Sequence, residues 1–202
     1  MYACISTAGM LCSSAFVAYG FSRFSFPGKG AAFLVLMATI VLPPQVTLIP
    51  TYSFFFAIHW IGSWLPIIVP TFFANAFNVF LLRQFMMGVP RELDEAAKID
   101  GAGPLRTFLS IIIPQIVPAL IAVTLFHFFF WWNDFFGPLI YLAGKPSLSP
   151  ISVGLTRFFN LYTRQANLVQ AAALISMAIP LGIFLYAQKY FMQGIVVTGV
   201  EK

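Results

Sequence analysis

The sequence predicts an all-α protein that crosses a lipid bilayer several times. Of its 202 residues, 60% are hydrophobic and 8% are charged, whereas about 25% of the residues in an ordinary soluble domain are charged. A chain of this size has too little interior to hide so many apolar side chains from water. In addition, residues 30–82 contain no Asp, Glu, Lys or Arg. This composition excludes an ordinary soluble domain, a disordered chain and a disulfide-stapled secreted scaffold.

We predict five membrane-spanning helices. Residues 1–21 form the first span and contain no Lys or Arg, so they lack the basic start of a signal peptide. The uncharged residues 30–82 hold the second and third spans, because about 20 residues suffice to cross a bilayer. These two spans separate near Trp60, an aromatic residue suited to the membrane interface. The fourth span covers residues 112–142 and the fifth covers residues 166–188.

The basic residues orient these spans through the positive-inside rule. We assign the loops after the first and third spans, together with the C-terminal end, to the cytoplasm. This places eight basic residues inside and leaves three outside, in the loop 143–165. We therefore expect a cytoplasmic C-terminus and an N-terminus on the outer face. The eight inside are Arg23, Lys29, Arg83, Arg91, Lys98, Arg106, Lys189 and Lys202.

The sequence indicates neither a nucleic-acid partner nor a metal site. The net charge is +5, but no stretch of the chain clusters four basic residues, and phosphate-binding surfaces need a dense basic patch. Cys4 and Cys12 have no CxxC spacing and no nearby His. We expect both cysteines to pack among the helices as small apolar residues.

One segment is densely polar, since four of the six acidic residues lie between the third and fourth spans. Pro90 is placed like a first-turn helix proline, and Gly101 stands where a C-terminal cap is expected. The acidic residues follow Pro90, where the helix dipole favours them. These signals predict a short helix over residues 90–100. On charge alone the segment could be an ordinary solvated loop, but Ala96 and Ala97 on one helix face let another protein's surface approach the backbone.

The pattern around this helix resembles the EAA loop of ABC importer inner-membrane subunits. That loop consists of Glu-Ala-Ala, three residues, Gly, nine further residues and Ile-x-Leu-Pro. In this sequence Ile113 replaces the usual Leu. The residues that match the pattern are Glu95, Ala96, Ala97, Gly101, Ile111 and Pro114.

The resemblance extends along almost the whole chain, to the carbohydrate-uptake permeases related to the maltose and arabinan-oligosaccharide systems. Four stretches carry it: YGFSRFSFPGKG, LPPQVTLIPTY, WNDFFGPLIYL and the closing LYAQKYFMQGIVVTGVEK. It implies a single type-1 permease domain over residues 1–202, with residues 90–113 as its cytoplasmic EAA coupling loop. Members of this family lie in the bacterial inner membrane.

The resemblance also implies how the coupling loop works. In the family, the EAA helix docks on a separate ATP-hydrolysing subunit. When that subunit closes, the helix transmits the movement to the membrane spans as a rigid body. This chain has no GxxxxGK[ST] loop, so we expect no catalytic residue and no cofactor here, with ATP bound by the partner subunit. The implied coupling residues are Glu95, Ala96, Ala97, Asp100, Gly101, Ile111 and Pro114.

Polar side chains within spans are costly and tend to face a cavity. We expect the translocation path to involve Asn75, Asn78, Asn133 and Asp134, with Trp131 as a flat surface for a sugar ring. Two of them have a structural alternative. Asp134 could be an anchor at the membrane interface, and Trp131 could be one of the aromatic residues that are common at that interface. His127 and Trp132 are weaker candidates for the same path.

The resemblance implies two further partners: a sister permease, as a heterodimer, and an extracytoplasmic sugar-binding protein. The loop 143–165 would face the binding protein through its basic residues and through Phe158, Phe159 and Tyr162, which could equally be ordinary loop residues. Family members typically begin with one more span, giving six. We therefore expect this chain to lack the family's first span; a start site placed too late or a dispensable span are the alternatives.

Two rival functions are weaker. An ion-coupled secondary carrier or channel without an ATPase usually shows inverted repeats and buried ionisable residues, and here Asp134 is the single acid predicted within a span. An intramembrane enzyme would need a motif such as HExxH or GxSxG, and neither occurs. The sequence does not identify the sugar.

Overall fold

The computed structural model describes residues 2–158 and 166–197. Within these residues the chain is helical and forms no β-strand. The α-helices are α1 (Tyr2–Arg23), α2 (Lys29–Ala38), α3 (Pro44–Ala57), α4 (Leu65–Ile68), α5 (Ala76–Gly88), α6 (Glu92–Ile99), α7 (Pro104–Thr107), α8 (Ile113–Gln115), α9 (Val117–Trp132), α10 (Phe136–Tyr141), α11 (Ile151–Gly154) and α12 (Ala166–Val197). Short 3₁₀ turns cover Thr39–Val41, Val69–Phe73, Pro146–Leu148 and Leu155–Phe158, and a π-helical turn covers Phe108–Ile112.

The helices supply five candidate membrane crossings in the described part of the chain, as predicted. Three are the helical segments Tyr2–Arg23, Leu65–Gly88 and Asn167–Gln188, each long and apolar enough to cross a bilayer. Two more are bent pairs: Lys29–Val41 with Pro44–Ala57, and Pro104–Gln115 with Val117–Trp132. Counting each bent pair as one crossing gives the expected number.

The boundaries predicted for the fourth span, residues 112–142, are wrong at both ends. The bent pair begins at Pro104 and ends at Trp132, and the following residues form the separate short helix α10. At the start of α10 the Asp134 carboxylate accepts a hydrogen bond from the Gly137 N–H at 3.2 Å.

Prolines account for both bends. The first pair turns by 96° at Leu42 and Pro43, which are extended, since the residue before a proline is pushed out of the helical region. The second pair turns by 81° at Ile116, between Pro114 and Pro118. Proline has no N–H to donate, so the helical ladder is interrupted at these positions.

The helix of the span Leu65–Gly88 is interrupted in its middle, and side chains of α1 accept hydrogen bonds from the backbone groups that the interruption leaves free. Ala74 has φ 63° and ψ 159°, which takes the chain out of the helix. The freed N–H groups of Ala74 and Asn75 donate to the hydroxyls of Ser13 and Ser14, at 3.0 and 3.1 Å. A broken helix inside a membrane requires such partners, because lipid offers none.

The core lies where α1, α5 and α9 meet. Small residues of α1 allow close approach, as in other membrane helix pairs: a Cβ on Gly9 would lie 2.7 Å from the Phe72 ring. The expected burial of the two cysteines is wrong, because Cys4 and Cys12 lie on the exposed face of α1, opposite this core. The core residues are Ala15, Ala18, Tyr19, Val79, Leu82, Met86, Val89, Phe108, Ile112, Ile116, Ala119 and Val123.

Candidate functional site

The predicted coupling helix is present as α6, Glu92–Ile99, two residues shorter at its start than predicted. Two hydrogen bonds of the Schellman type end the helix. The Gly101 N–H donates to the Lys98 carbonyl at 3.1 Å, and the Ala102 N–H donates to the Ala97 carbonyl at 2.8 Å. Gly101 has φ 77°, a left-handed conformation that glycine adopts without penalty. The glycine therefore ends the helix and sets the direction in which the chain leaves it.

The surface of α6 divides the predicted coupling residues into two sets. Glu95, Ala96, Asp100 and Gly101 are exposed, as a docking surface requires. Ala97 is only 4% exposed and packs inward against its own chain. The two alanines therefore differ, and Ala96 is the one that another protein can reach.

Ile111 and Pro114 lie away from α6, in the span that follows it. Ile111 is half-buried in the π-helical turn, and Pro114 is exposed in α8, two residues before the bend at Ile116. These two motif residues shape the bent span and do not extend the surface of the coupling helix.

The membrane-spanning part contains a half-open cavity of about 1060 Å³ between α3, α4, α9 and α10. Its walls contain three of the predicted path residues, Trp131, Asn133 and Asp134. The Asp134 carboxylate accepts a hydrogen bond from the Gly137 N–H at 3.2 Å, so the backbone of α10 holds this carboxylate in its place in the wall.

A second cavity of about 640 Å³ adjoins the first, because Pro70, Phe126, Phe130 and Trp131 line both. It lies between α1, α5 and α9, and its wall includes Asn75 and Asn78. The structure thus brings all five predicted path residues to two neighbouring cavities.

Three buried polar atoms in the wall of the smaller cavity have no hydrogen-bond partner in the described protein. They are Asn78 Nδ2, His127 Nδ1 and Trp131 Nε1. A buried polar group left unpaired costs about 1–3 kcal/mol. Three such atoms in the wall of one cavity favour a site whose polar groups are satisfied by a molecule that enters it. Trp132 lies elsewhere, with its Nε1 donating to the Ser176 carbonyl at 3.1 Å.

Sequence reasoning missed the polar residues that α3 and α10 add to the larger cavity. Gln45, Thr47 and Thr51 lie on α3, and the Thr51 hydroxyl is 3.2 Å from the Tyr141 hydroxyl of α10. The available signal was that these three polar side chains lie within a largely apolar span. Part of the loop predicted to face a binding protein lies outside the described residues, including Phe159, Tyr162 and Arg164. The same holds for Lys202, and the side chains of Arg157, Phe158 and Lys189 are not described.

Comparison with known proteins decides the family. Residues 7–195 match the family described as binding-protein-dependent transport system inner membrane component. The chain belongs to this family. The match confirms the resemblance found in the EAA pattern and gives no support to an ion-coupled carrier.

Individual members of the family resemble the chain over most of its length. It is 33% identical over 187 residues to the osmoprotective compounds uptake permease protein GgtD of Synechocystis, covering 92% of this chain and 63% of the relative. It is 29% identical to the arabinooligosaccharides transport system permease protein AraQ of Bacillus subtilis, covering 93% and 66%. The chain thus spans just under two thirds of the length of these relatives.

A solved structure has the same fold. It is a bacterial ABC transporter involved in the import of the acidic polysaccharide alginate, and it aligns with a TM-score of 0.75 and 24% identity. The alignment covers 94% of this chain and 73% of that one. The all-α, multi-span architecture predicted from composition is therefore confirmed.

Proposed function

We propose that this chain is a permease subunit of a binding-protein-dependent ABC importer of sugars. It forms half of the translocation path and is coupled to a separate ATPase subunit through the coupling loop, residues 90–113. The observation that carries the proposal is α6: a short, exposed, acidic helix with a glycine stop, in the one EAA-like position of the sequence. The chain itself supplies no phosphate loop.

The exposed residues of α6 suit a rigid docking contact with the ATPase. Ala96 presents little side chain, so a partner surface can approach the helix backbone, while Glu95 and Asp100 offer charges at its rim. The helix is fixed at its end by Gly101 and against its own chain by Ala97. A push on such a helix moves its attachment to the spans instead of bending the loop.

The two cavities suit a sugar in transit. A sugar ring has an apolar face that packs on aromatic rings and hydroxyls that exchange hydrogen bonds with amides and carboxylates. The walls offer both, with Trp131 and Phe130 beside Asn78, Asn133 and Asp134. The name of one relative, which concerns arabinooligosaccharides, supports a saccharide as the substrate.

A sister permease would close the open side of these cavities. Phe126 and Phe130 are 60% and 64% exposed although they line both cavities, and Asn133 continues the same face of α9. A translocation path that is open on one side needs a second wall there, and we assign that wall to a sister subunit in a heterodimer. An extracytoplasmic sugar-binding protein would deliver the substrate from the outer side. On this assignment the chain lies in the inner membrane with its C-terminus in the cytoplasm.

Uptake measurements test the proposal directly. Cells that lack the gene should lose ATP-dependent uptake of one member of a panel of labelled saccharides, including arabino-oligosaccharides and alginate oligosaccharides, and regain it with the wild-type gene. Uptake that persists when ATP is depleted but an ion gradient is maintained would contradict the proposal.

A further inference from the structure

The cytoplasmic end of α1 holds both ends of the coupling loop. Arg23, the last residue of α1, donates from Nη2 to the Val89 carbonyl at 2.9 Å, just before the loop begins. One turn earlier, the Tyr19 hydroxyl donates to the Pro104 carbonyl at 3.1 Å, where the chain enters the next span. A single helical turn therefore fixes the points at which the loop leaves and rejoins the membrane part.

Arg23 is also paired with the coupling helix itself. Its Nε lies 3.1 Å from Oδ2 of Asp94, in the first turn of α6, as an ion pair without hydrogen-bond alignment, and the two side chains are 7% and 23% exposed. Among the described residues this is the one ion pair. A buried arginine without a partner is strongly unfavourable, so the pair ties α6 to α1 by more than the covalent chain.

Helix α1 continues from this pair to the wall of the smaller cavity. Ser13 and Ser14, about 15 Å from Arg23 at 1.5 Å per residue, hold the broken backbone at Ala74 and Asn75, and Asn75 lines that cavity. Between these points α1 packs on α5 and α9 through buried residues. A displacement of α6 that pulls on Arg23 is thus carried along a packed helix to the cavity wall.

We propose that the Arg23–Asp94 pair is a mechanical link through which movement of the coupling helix reaches α1, so that Asp94 is a positioning residue for transport. This inference rests on the proposed function, because it assumes that an ATPase moves α6. Arg23 and Asp94 then determine how much transport each ATP yields, and the amount of assembled complex does not depend on them.

The test uses the complete transporter, purified through a tag on this chain and reconstituted with its binding protein. The probe is the saccharide of the panel above that wild type takes up fastest. Two quantities are measured at equal amounts of assembled complex: ATP hydrolysis and saccharide transport. Asp94→Asn removes the charge of the partner, and the double variant Arg23→Met with Asp94→Leu replaces the pair by apolar side chains of similar volume, a change that buried pairs often tolerate. Lys29→Gln is the control, since it also removes one charge, from an exposed hydrogen bond to the Phe24 carbonyl that lies outside the coupling loop and both cavities.

We expect Asp94→Asn and the double variant to assemble and to hydrolyse ATP within about twofold of wild type, with transport per ATP lower by about tenfold. The double variant also loses the hydrogen bond from Arg23 to the Val89 carbonyl, so its transport per ATP should be no higher than that of Asp94→Asn. Lys29→Gln should keep the wild-type ratio of transport to ATP hydrolysis.

Two results would overturn the link. One is a double variant that assembles and keeps the wild-type transport per ATP. The other is a double variant that fails to assemble while Lys29→Gln assembles, because the pair would then hold the fold. If the complex with Asp94→Asn alone fails to assemble, the transport per ATP of the double variant decides whether the link exists. Failure of the proposed function is a separate outcome, visible as a wild-type complex without an ATPase subunit or without ATP-dependent transport.

Discussion

The coupling loop and the cavity walls are built in opposite ways. The loop is local: Pro90, the acidic first turn of α6 and the left-handed Gly101 all act within about a dozen residues. The cavity walls are assembled from positions far apart in the chain, such as Thr51 and Tyr141, which lie 90 residues apart. Substitutions in the loop should therefore act through one helix, whereas those in the walls depend on what packs behind each side chain.

The largest effect should come from the glycine that ends the coupling helix. A β-branched residue in the left-handed region is a strained outlier, costing about 1–2 kcal/mol, so Gly101→Val should redirect the loop and abolish most transport. No atom lies within 4 Å of a Cβ built there, so the loss would not come from a clash within the chain. Gly101→Asn is the matched variant, because asparagine tolerates φ above zero, and it should keep most uptake. Uptake lost equally in both variants would show that the partner surface, and not the backbone conformation, requires glycine.

In the cavity wall, Asn78→Leu should separate stability from transport. The Asn78 Nδ2 is buried without a partner, so an apolar side chain of similar shape should leave the melting temperature unchanged or raise it, while uptake falls about tenfold through loss of one ligand hydrogen bond. Thr7→Val is the control, since Thr7 Oγ1 is also buried and unpartnered but lines neither cavity. Normal uptake in Asn78→Leu would remove Asn78 from the path.

A smaller loss of transport should follow Gly137→Ala. A Cβ there would lie 2.7 Å from Oδ2 of Asp134, which is closer than real Cβ contacts, so the carboxylate must move out of its place in the wall. We expect uptake to fall a few-fold with a modest drop in melting temperature. Gly154→Ala, where a Cβ meets nothing within 4 Å, should change neither. If the two variants behave alike, the position of the Asp134 carboxylate does not matter to transport.

The smallest effect on transport is expected at the break in the span Leu65–Gly88. Ala74 has φ 63° and ψ 159°, a region that is essentially restricted to glycine, and relief of such strain is worth about 1–3 kcal/mol. Ala74→Gly should therefore raise the melting temperature and leave uptake within about twofold of wild type. A lower melting temperature would mean that the break is held in a different conformation.

The contrast between the local coupling loop and the long-range cavity walls also explains which features could be predicted from the sequence. The helix at α6 was predicted to within two residues because its start and stop signals are local. The five crossings followed from apolar composition. The separate helix α10 was missed because the break before it lies within an apolar run, where one hydrogen bond from the Gly137 N–H to the Asp134 carboxylate is the local feature that marks it.

Long-range packing explains the remaining differences. The inward position of Ala97 and the pairing of Arg23 with Asp94 depend on where α1 ends relative to α6. The same holds for the contribution of α3 to the larger cavity, which requires the 96° bend that brings Thr51 beside Tyr141. The exposed Cys4 and Cys12 follow from which face of α1 meets α5. No pattern within one helix carries this information.

The most direct measurement is purification of the full chain in mild detergent through a C-terminal tag, expressed from its own locus, followed by identification of its partners and assay of transport. The account predicts that an ATP-hydrolysing subunit and a sister permease are recovered with it, and that reconstituted transport of the panel saccharide requires ATP. Recovery of the chain alone, with saccharide transport that needs no ATP, would contradict it.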